Sequence, residues 1–390
     1  MRRTLITLTL VIVGFSAAQS QNQRQVLPGS PLQGLTGREL ELFRAGLEDF
    51  NEVETAEDGL GPAFNGNSCG SCHSIPAIGG IATMTETRAG HVDEEGNFTA
   101  LQGETLYNLF SVGKHACQVS IPIEANVIAR RVPTPLFGTG LMEAISDATI
   151  IAGEDPDDRN GDGIKGRAAR VFDVATRTTK VGRFGWKAQQ ATLLAFSGDA
   201  YRNEMGITNE LFMTEILPGI SPEQAKLCDG KPEPEDIKNR LTGLRSIDNF
   251  ANFMRLLAPV ERSETTAEAR LGETLFNSVG CAACHTPVLM TAQNQNPVFD
   301  RKAVALFSDL LLHDIGTGDG IEQQVAKGNE MRTQPLWGLR FRRPLLHDGR
   351  AANSEQAIRM HEVEGEASRK KFEALAEGDR KALIAFLGSL

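Results

Sequence analysis

Two windows of the chain place two cysteines three positions apart, with a histidine directly after the second one. They read Cys69-Gly-Ser-Cys72-His73 and Cys281-Ala-Ala-Cys284-His285. Random placement of the 6 cysteines and 7 histidines among 390 residues would give about 0.002 copies of this pattern. Two thiols at this spacing can add to the two vinyl groups of one haem, and the next imidazole then reaches the iron. The pattern predicts two covalently bound c-type haems, with His73 and His285 as iron ligands.

A zinc site or a redox-active dithiol would need a different setting for these cysteines. Structural zinc sites place two Cys-x-x-Cys pairs within about 15 to 20 residues of each other. Here the two windows lie in opposite halves of the chain, and each has its own histidine. A thioredoxin-like dithiol would need a βαβ unit, which the sequence does not indicate. Haem is therefore the expected cofactor at both windows.

Helical patterns around both windows predict a mainly α protein with two cytochrome c-like haem domains. Thr36-Gly-Arg-Glu39 and Thr265-Thr-Ala-Glu268 are capping boxes that open amphipathic helices ahead of the two motifs. One long amphipathic helix is predicted over Pro234–Leu257, and Asp379 is predicted to cap a last helix that packs on the helix after Thr265. β-Branched residues between 167 and 184 predict one small β-hairpin.

Length, charge and the N-terminus indicate an exported protein of two domains. The chain has 390 residues, 41% of them hydrophobic, and a formal charge of −10, which argues against a nucleic-acid partner. Residues 1–20 fit a secretory signal peptide, with two arginines, an apolar run and small residues in order; an uncleaved anchor is the alternative. No later apolar run reaches the length of a membrane span. We predict a periplasmic or otherwise exported protein with an N-terminal haem domain at 33–260, enlarged by an insertion, and a C-terminal cytochrome c domain at 261–390.

Several short motifs accompany the two haem motifs in a defined order and spacing. They are Phe184-Gly-Trp186, Glu204-Met205-Gly206, Arg332-Thr-Gln-Pro335-Leu-Trp-Gly, Pro344-Leu-Leu-His347-Asp-Gly-Arg350 and Ala357-Ile-Arg-Met-His361. By these motifs the chain resembles the bacterial di-haem cytochrome c peroxidases, especially the branch described as di-haem oxidoreductases or putative peroxidases. The resemblance spans most of the mature chain.

The resemblance implies catalytic roles for Trp186 and Glu204. In the family the matching tryptophan lies between the two haems, and the matching glutamate sits over the open face of the N-terminal haem. An indole can bridge an electron path, and a carboxyl group can relay the proton that peroxide needs. Without the resemblance, Trp186 would be interpreted as a core aromatic residue and Glu204 as a solvated charge on a helix.

The resemblance also implies a second axial ligand for the C-terminal haem, and here the chain departs from the family pattern. The family usually places a methionine there, whereas the aligned residue is His361, with Met360 beside it as the alternative. A His/His iron lacks the thioether that raises the reduction potential, so this haem should have a lower potential than in the ordinary peroxidases.

Four further histidines are less informative. His91 and His115 are candidates for a removable sixth ligand of the N-terminal haem, but a plain surface histidine fits both polar loops as well. That haem is expected to be open or able to open. We interpret His347 and His313 as structural or propionate-contacting residues and not as iron ligands.

A candidate calcium loop and two remaining cysteines leave alternatives open. Asp158, Asn160 and Asp162 match the first half of a calcium-binding loop, but Ala169 occupies the position of the acidic twelfth residue, so a plain polar turn competes with this interpretation. Cys117 and Cys228 are left after haem attachment. An oxidising compartment would permit a disulfide between them, and sequence distance does not decide whether it forms.

Together these observations predict a di-haem oxidoreductase that reduces hydrogen peroxide at the N-terminal haem and receives electrons through the C-terminal haem. A small redox protein is the expected electron donor or acceptor. The alternative function is a di-haem electron-transfer cytochrome without peroxidase turnover, because such a carrier would have the same haem-binding residues.

Haem attachment can be tested by the mass of the denatured protein. When it is produced with a haem-attachment system, the intact mass should show two haem increments, because thioether bonds survive denaturation. Replacing the cysteines of one motif should remove one increment, whereas Cys117→Ser and Cys228→Ser should remove none. A single increment in the unaltered protein, or bound zinc in place of haem, would contradict the assignment.

Overall fold

The computed structural model describes residues 26–112 and 117–390. The predicted signal peptide at 1–20 and the candidate ligand His115 lie outside these residues. Helices make up 31% of the structure, and small antiparallel sheets lie between them, so the fold is broadly mixed α and β. The expectation of a mainly α protein is therefore only partly confirmed. Within 26–112 and 117–390, no helix has the length and apolarity required to cross a membrane.

Most helices are short and alternate with extended loops. In chain order they are α1 (Gly37–Asn51), α2 (Cys69–Cys72), α3 (Thr139–Glu143), α4 (Asp147–Ile151), α5 (Leu193–Met205), α6 (Pro222–Cys228), α7 (Ser246–Leu256), α8 (Ala267–Val279), α9 (Ser354–Arg359), α10 (Glu366–Ala374) and α11 (Glu377–Leu387). Single 3₁₀ turns add Leu101–Gly103, Cys281–Ala283, Leu339–Phe341 and Val363–Gly365.

The strands form one three-stranded and four two-stranded antiparallel sheets in the described residues. They are β1 (Ala63–Phe64), β2 (Glu86–Val92), β3 (Phe98–Thr99), β4 (Phe110–Ser111), β5 (Val127–Arg131), β6 (Arg170–Asp173), β7 (Thr178–Val181), β8 (Leu289–Met290), β9 (Ala303–Val304), β10 (Leu312–His313) and β11 (Met331–Arg332). The largest sheet has the order β3-β2-β5, and its register places Glu86 opposite Arg131. The predicted hairpin between 167 and 184 is confirmed as β6–β7.

Each of the two cysteine motifs follows a helix that packs on a second helix. Helix α1, which ends before Cys69, packs on α7, and α8, which ends before Cys281, packs on α11. Each pair crosses at a glycine: a Cβ on Gly46 would overlap the Asn249 carbonyl oxygen, and a Cβ on Gly272 would overlap the Ala382 carbonyl oxygen. The predicted packing of the last helix on the helix after Thr265 is confirmed. The boundary near residue 260 stays a prediction.

Phenylalanine rings fill the contact between the helices of each pair. Phe43, Phe50 and Phe253 lie in the first contact, with ring centroids 4.8 to 5.3 Å apart. Phe276 and Phe386 lie in the second, 5.2 Å apart. The two contacts belong to different clusters of buried apolar residues. The helices predicted ahead of the two cysteine motifs therefore take part in two similar helix crossings.

The long helix predicted over Pro234–Leu257 is wrong in its first half, because only Ser246–Leu256 is helical. Asn239 accepts hydrogen bonds from the backbone of Leu241 and Thr242, and Gly243 takes a φ of +72°. This turn interrupts the apolar period, and Leu241 is 97% exposed. Local turn chemistry overrides the helical pattern here.

Two predicted helix starts also need correction. The N-cap of α8 is Thr266, whose hydroxyl accepts a hydrogen bond from the Ala269 N–H, so the box from Thr265 to Glu268 is not the cap. The N-cap of α11 is Ala376, and Asp379 lies inside the first turn. A carboxylate in that turn still interacts favourably with the helix dipole.

Substitution of Gly272 tests the close crossing of α8 and α11. Gly272→Ala should lower the free energy of unfolding by about 1 to 3 kcal/mol, because the added methyl group must push the two helices apart. Gly378→Ala in α11 is the matched control, since nothing lies within 4 Å of its Cβ position, and alanine is the better helix former. Urea unfolding of the haem-loaded proteins would measure both. Equal stability of Gly272→Ala and the parent protein would contradict the crossing.

Candidate functional site

The first cysteine motif lies in the wall of a cavity of about 1180 Å³, part of which is open to solvent. Cys69, Cys72 and His73 all line it. Nδ1 of His73 is 2.9 Å from the carbonyl oxygen of Gly80, which leaves Nε2 free to bind a metal. Burial lowers the pKa of His73 to about 4, so the imidazole is neutral at physiological pH. A neutral imidazole held through Nδ1 is suited to coordinate iron.

The second motif lies in the wall of a larger and mostly apolar cavity of about 1530 Å³, also partly open to solvent. Cys281, Cys284 and His285 line it. Nδ1 of His285 is 3.1 Å from the carbonyl oxygen of Phe307, and burial lowers the pKa of His285 to about 4. The two motifs thus present the same combination of two thiols and one oriented, neutral imidazole.

His361 lines the same cavity as His285, whereas Met360 does not line it. Nδ1 of His361 is 2.7 Å from the carbonyl oxygen of Ala357, so its Nε2 is free as well. Burial lowers the pKa of His361. Met360 instead packs against the core formed by α8 and α11. Of the two candidates, His361 is therefore the residue placed to act as a second ligand in this cavity.

Both cavities are lined by side chains with unpartnered hydrogen-bond donors, which the propionate groups of a haem could satisfy. In the described residues the four motif cysteines form no disulfide. Arg131 Nη2, which belongs to a side chain lining the first cavity, has no hydrogen-bond partner, and neither do Gln334 Nε2 and Arg342 Nε of side chains lining the second. Buried donors without partners are rare. Haem carries two propionate groups that accept hydrogen bonds, so the residues present fit this cofactor.

Trp186 lines both cavities and so lies between them. Its Nε1–H donates to the carbonyl oxygen of Val132 at 2.8 Å, and its ring meets the ring of His347 edge-on at 6.2 Å. The Val132 N–H in turn donates to the carbonyl oxygen of His347 at 2.8 Å. These contacts fix the indole in the wall that separates the two cysteine motifs.

Glu204 lies in the last turn of α5 and lines the first cavity together with His73. Asn65 Nδ2 donates to Glu204 Oε2 at 2.8 Å. Burial, followed by the negative charge of Glu86, raises the pKa of Glu204 to about 8. At neutral pH this carboxyl group therefore holds its proton, which it can donate into the cavity.

Sequence reasoning missed the residues that place this proton on Glu204. Arg88 donates to both oxygens of Glu86 at 2.8 and 3.0 Å, and Arg131 Nη1 lies 3.7 Å from Glu86. Burial would raise the pKa of Glu86, but the charges of Arg88 and Arg131 outweigh it and keep the pKa low. Glu86 is thus the ionised partner and Glu204 the protonated one. The cross-strand pair of β2 and β5 would have indicated this network, but its register could not be read from the sequence.

Among the described residues, His91 and His313 contribute no oriented ligand. His91 lies in β2, does not line the first cavity, and its Nδ1 contacts the carbonyl oxygen of Glu124 at 2.7 Å. His313 lines the second cavity, but both its nitrogens contact carboxylates, Glu364 at 2.7 Å and Asp309 at 2.9 Å. Although burial opposes it, these carboxylates raise the pKa of His313 well above its ordinary value. His313 therefore has no free lone pair for iron.

Cys117 and Cys228 form a disulfide with a Cα–Cα distance of 6.2 Å, which answers the question that the sequence left open.

The candidate calcium loop is a solvent-exposed turn. Carboxylate oxygens of Asp158 and Asp162 accept hydrogen bonds from the N–H groups of Gly163 and Ile164, and Asn160 Nδ2 donates to Asp162. These bonds explain the turn without an ion. Calcium binding stays a prediction.

Comparisons with known proteins give one strong match. The family described as "Di-haem oxidoreductase, putative peroxidase" matches residues 111–390. No curated protein matches the chain. Among solved structures, hydrazine synthase of Kuenenia stuttgartiensis is 15% identical with a TM-score of 0.41, and 100% of each chain is covered. A MauG-like protein associated with microbial copper homeostasis is 14% identical with a TM-score of 0.33, and 66% of this chain and 90% of that chain are covered. Both likenesses are too distant to carry an argument.

Replacement of single histidines tests which residue is the second ligand of the second motif. In the haem-loaded protein, His361→Ala should convert a low-spin iron into a high-spin or water-bound one, because its Nε2 is the free ligand atom facing the cavity. His347→Ala and Met360→Leu are matched controls that should leave the low-spin signal unchanged. Low-temperature electron paramagnetic resonance (EPR) distinguishes these forms. An unaltered low-spin signal in His361→Ala would exclude His361.

Proposed function

Because the chain belongs to the family described as "Di-haem oxidoreductase, putative peroxidase", we propose that it is an exported di-haem c-type enzyme that reduces hydrogen peroxide. In this proposal Cys69, Cys72, Cys281 and Cys284 attach two haems, one in each of two cytochrome c-like domains. His73 would hold the iron of the haem in the first cavity, and His285 and His361 would hold that of the haem in the second. The observation that carries the proposal is the difference between the cavities: the first pairs one histidine with a protonated carboxyl group, and the second pairs two histidines.

The difference matters because peroxide reduction consumes protons as well as electrons. Hydrogen peroxide, two electrons and two protons give two molecules of water. A bound haem supplies the iron that exchanges electrons with peroxide. Glu204 supplies a proton from its carboxyl group to the departing oxygen, since its pKa of about 8 keeps it protonated at neutral pH. A pure electron carrier has no use for such a buried proton donor.

Glu86 acts as a positioning residue for Glu204. Its carboxylate, held by Arg88, accepts a hydrogen bond from the protonated Glu204 and makes a second negative charge nearby unfavourable. Asn65 orients the other side of Glu204. Glu204 is therefore held in place and protonated before peroxide binds.

Electrons in this proposal enter at the second cavity and pass Trp186 to the first. Trp186 lies in the wall between the two cavities, and its hydrogen bond to Val132 restrains the indole. The donor or acceptor is a small redox protein, and the protein acts outside the cytoplasm without a nucleic-acid partner. At the turn containing Asp158, a calcium site and a plain polar turn stay alternatives, and the proposal needs no calcium.

Glu204→Gln is the sharpest test of peroxidase function. The glutamine keeps shape and hydrogen bonds but cannot release a proton, so the peroxide step should slow by about 10² to 10⁴ while both haem spectra are retained. In the parent protein the rate of the same step should fall as the pH rises through about 8, where Glu204 loses its proton. Glu86→Gln should move this midpoint to lower pH, because the repelling charge is gone. Stopped-flow spectroscopy across a pH series would measure all three.

Glu215→Gln is the matched control. Burial also raises the pKa of Glu215, to about 9, but the residue lines neither cavity. Its replacement should leave the peroxide step unchanged. A Glu204→Gln variant as fast as the Glu215→Gln control, or a parent protein that does not react with peroxide in its ferric or half-reduced form, would contradict the proposed function.

A further inference from the structure

A tyrosine and a glutamate form a buried pair at the first cavity that the proposed function does not use. Tyr201 lines this cavity and is 5% exposed, and its hydroxyl donates to Glu54 Oε1 at 2.7 Å. Glu54 is 8% exposed. Tyr201 lies one turn before Glu204 on α5, and Glu54, which follows α1, meets its hydroxyl from outside the cavity wall.

The other tyrosine of the chain differs in both respects. Tyr107 does not line either cavity, and its hydroxyl donates to the carbonyl oxygen of Leu101 at 3.3 Å. A backbone carbonyl cannot take up the phenolic proton, whereas a carboxylate can. Since the chain has only 2 tyrosines, Tyr107 provides an internal control for Tyr201.

Aromatic rings also connect Tyr201 with the first motif. Tyr201 packs edge-on against Phe250 at 5.0 Å, Phe250 against Phe50 at 6.2 Å, and Phe50 against His73 at 6.0 Å. Tyr201 thus belongs to the packed aromatic environment of His73 as well as to the cavity wall. Both positions place Tyr201 next to a group bound in the cavity.

We propose that Tyr201 and Glu54 form a redox site that holds one oxidising equivalent during peroxide turnover. The inference rests on the proposed function, because hydrogen peroxide is the oxidant. The phenolic O–H bond of Tyr201 breaks, its proton passes to the Glu54 carboxylate, and its electron replaces one of the two that peroxide withdraws from the site. A neutral tyrosyl radical and a protonated Glu54 remain until an electron from the second cavity reverses the step.

The local electrostatics support a coupled transfer of proton and electron. Burial raises the pKa of Tyr201 well above its ordinary value, so a tyrosinate does not form first. Burial also raises the pKa of Glu54, although the hydrogen bond from Tyr201 opposes this, and a raised pKa makes Glu54 a stronger base. The competing explanation is that Glu54 satisfies the hydroxyl of a core tyrosine, as buried tyrosines require. That explanation predicts no radical.

The test is freeze-quench EPR of the haem-loaded full chain after mixing with hydrogen peroxide. A tyrosyl radical should form in the parent protein and in Tyr107→Phe, and should be absent in Tyr201→Phe. Glu54→Gln should lower the radical yield by about tenfold or more, since the proton acceptor is lost. Tyr201→Phe should retain the ferric haem spectrum of the parent protein, which shows that the variant folds and binds haem.

Isotopic or fluorine labelling of Tyr201 assigns the radical without relying on a Tyr201 variant that misfolds. In Tyr107→Phe the single remaining tyrosine is Tyr201, so growth on 3-fluorotyrosine labels this residue alone and must broaden the radical signal. A radical signal that the label does not broaden, or one that persists in Tyr201→Phe, overturns the inference. So does optical reaction with peroxide without a tyrosyl radical.

A second oxidant separates this inference from the proposed function. If the protein does not react with peroxide, the proposed function fails, and flash oxidation with a ruthenium photosensitiser and persulfate then generates the oxidising equivalent directly. The same label and variants should still assign the radical to Tyr201. A radical on Tyr107, or none on tyrosine, under these conditions overturns the inference.

Discussion

The asymmetry of the two cavities depends on the contacts that the buried guanidinium group of Arg131 makes. Its Nη1 lies 3.7 Å from Glu86 and its Nε donates to Asp319 at 2.7 Å, while Asp319 also lies 3.3 Å from the fully buried Lys187. Loss of one partner from such a buried network is strongly destabilising, because the remaining charge is uncompensated. With Arg88, Arg131 keeps Glu86 ionised, and burial together with the charge of Glu86 keeps the proton on Glu204. Arg131 therefore joins strand β5 to the C-terminal half and contributes to the protonation of the first cavity.

The two cavities share a plan and differ in one feature. Each has two thiols and an imidazole whose Nδ1 meets a backbone carbonyl oxygen, at Gly80 in one and at Phe307 in the other. The second adds His361, whereas the first adds the acid pair of Glu86 and Glu204. Two oriented imidazoles would hold an iron there as a group suited to electron transfer. One imidazole with a proton donor leaves room for a small oxidant, which suits a reaction with that oxidant.

Local patterns could be predicted from the sequence, and long-range pairing could not. The haem motifs, the capping box at Thr36 and the β6–β7 hairpin each depend on residues close in the chain. The position of Trp186 between the cavities and of Glu204 in the first cavity followed from the family resemblance. The role of Glu86 depends on the register of β2 with β5, which pairs it with Arg131, 45 residues further along the chain, and on the fold that brings Asp319 to Arg131. The helix predicted from Pro234 failed because a turn at Asn239 satisfies its own backbone locally.

In this proposal an iron in the first cavity reacts with peroxide and an iron in the second does not. The decisive measurement is low-temperature EPR of the ferric and the half-reduced protein, before and after one equivalent of hydrogen peroxide. We expect one high-spin and one low-spin haem in at least one of these forms, with only the high-spin signal lost on peroxide addition. Two low-spin haems that peroxide leaves unchanged in both forms would rule out peroxidase chemistry and would identify the protein as an electron carrier.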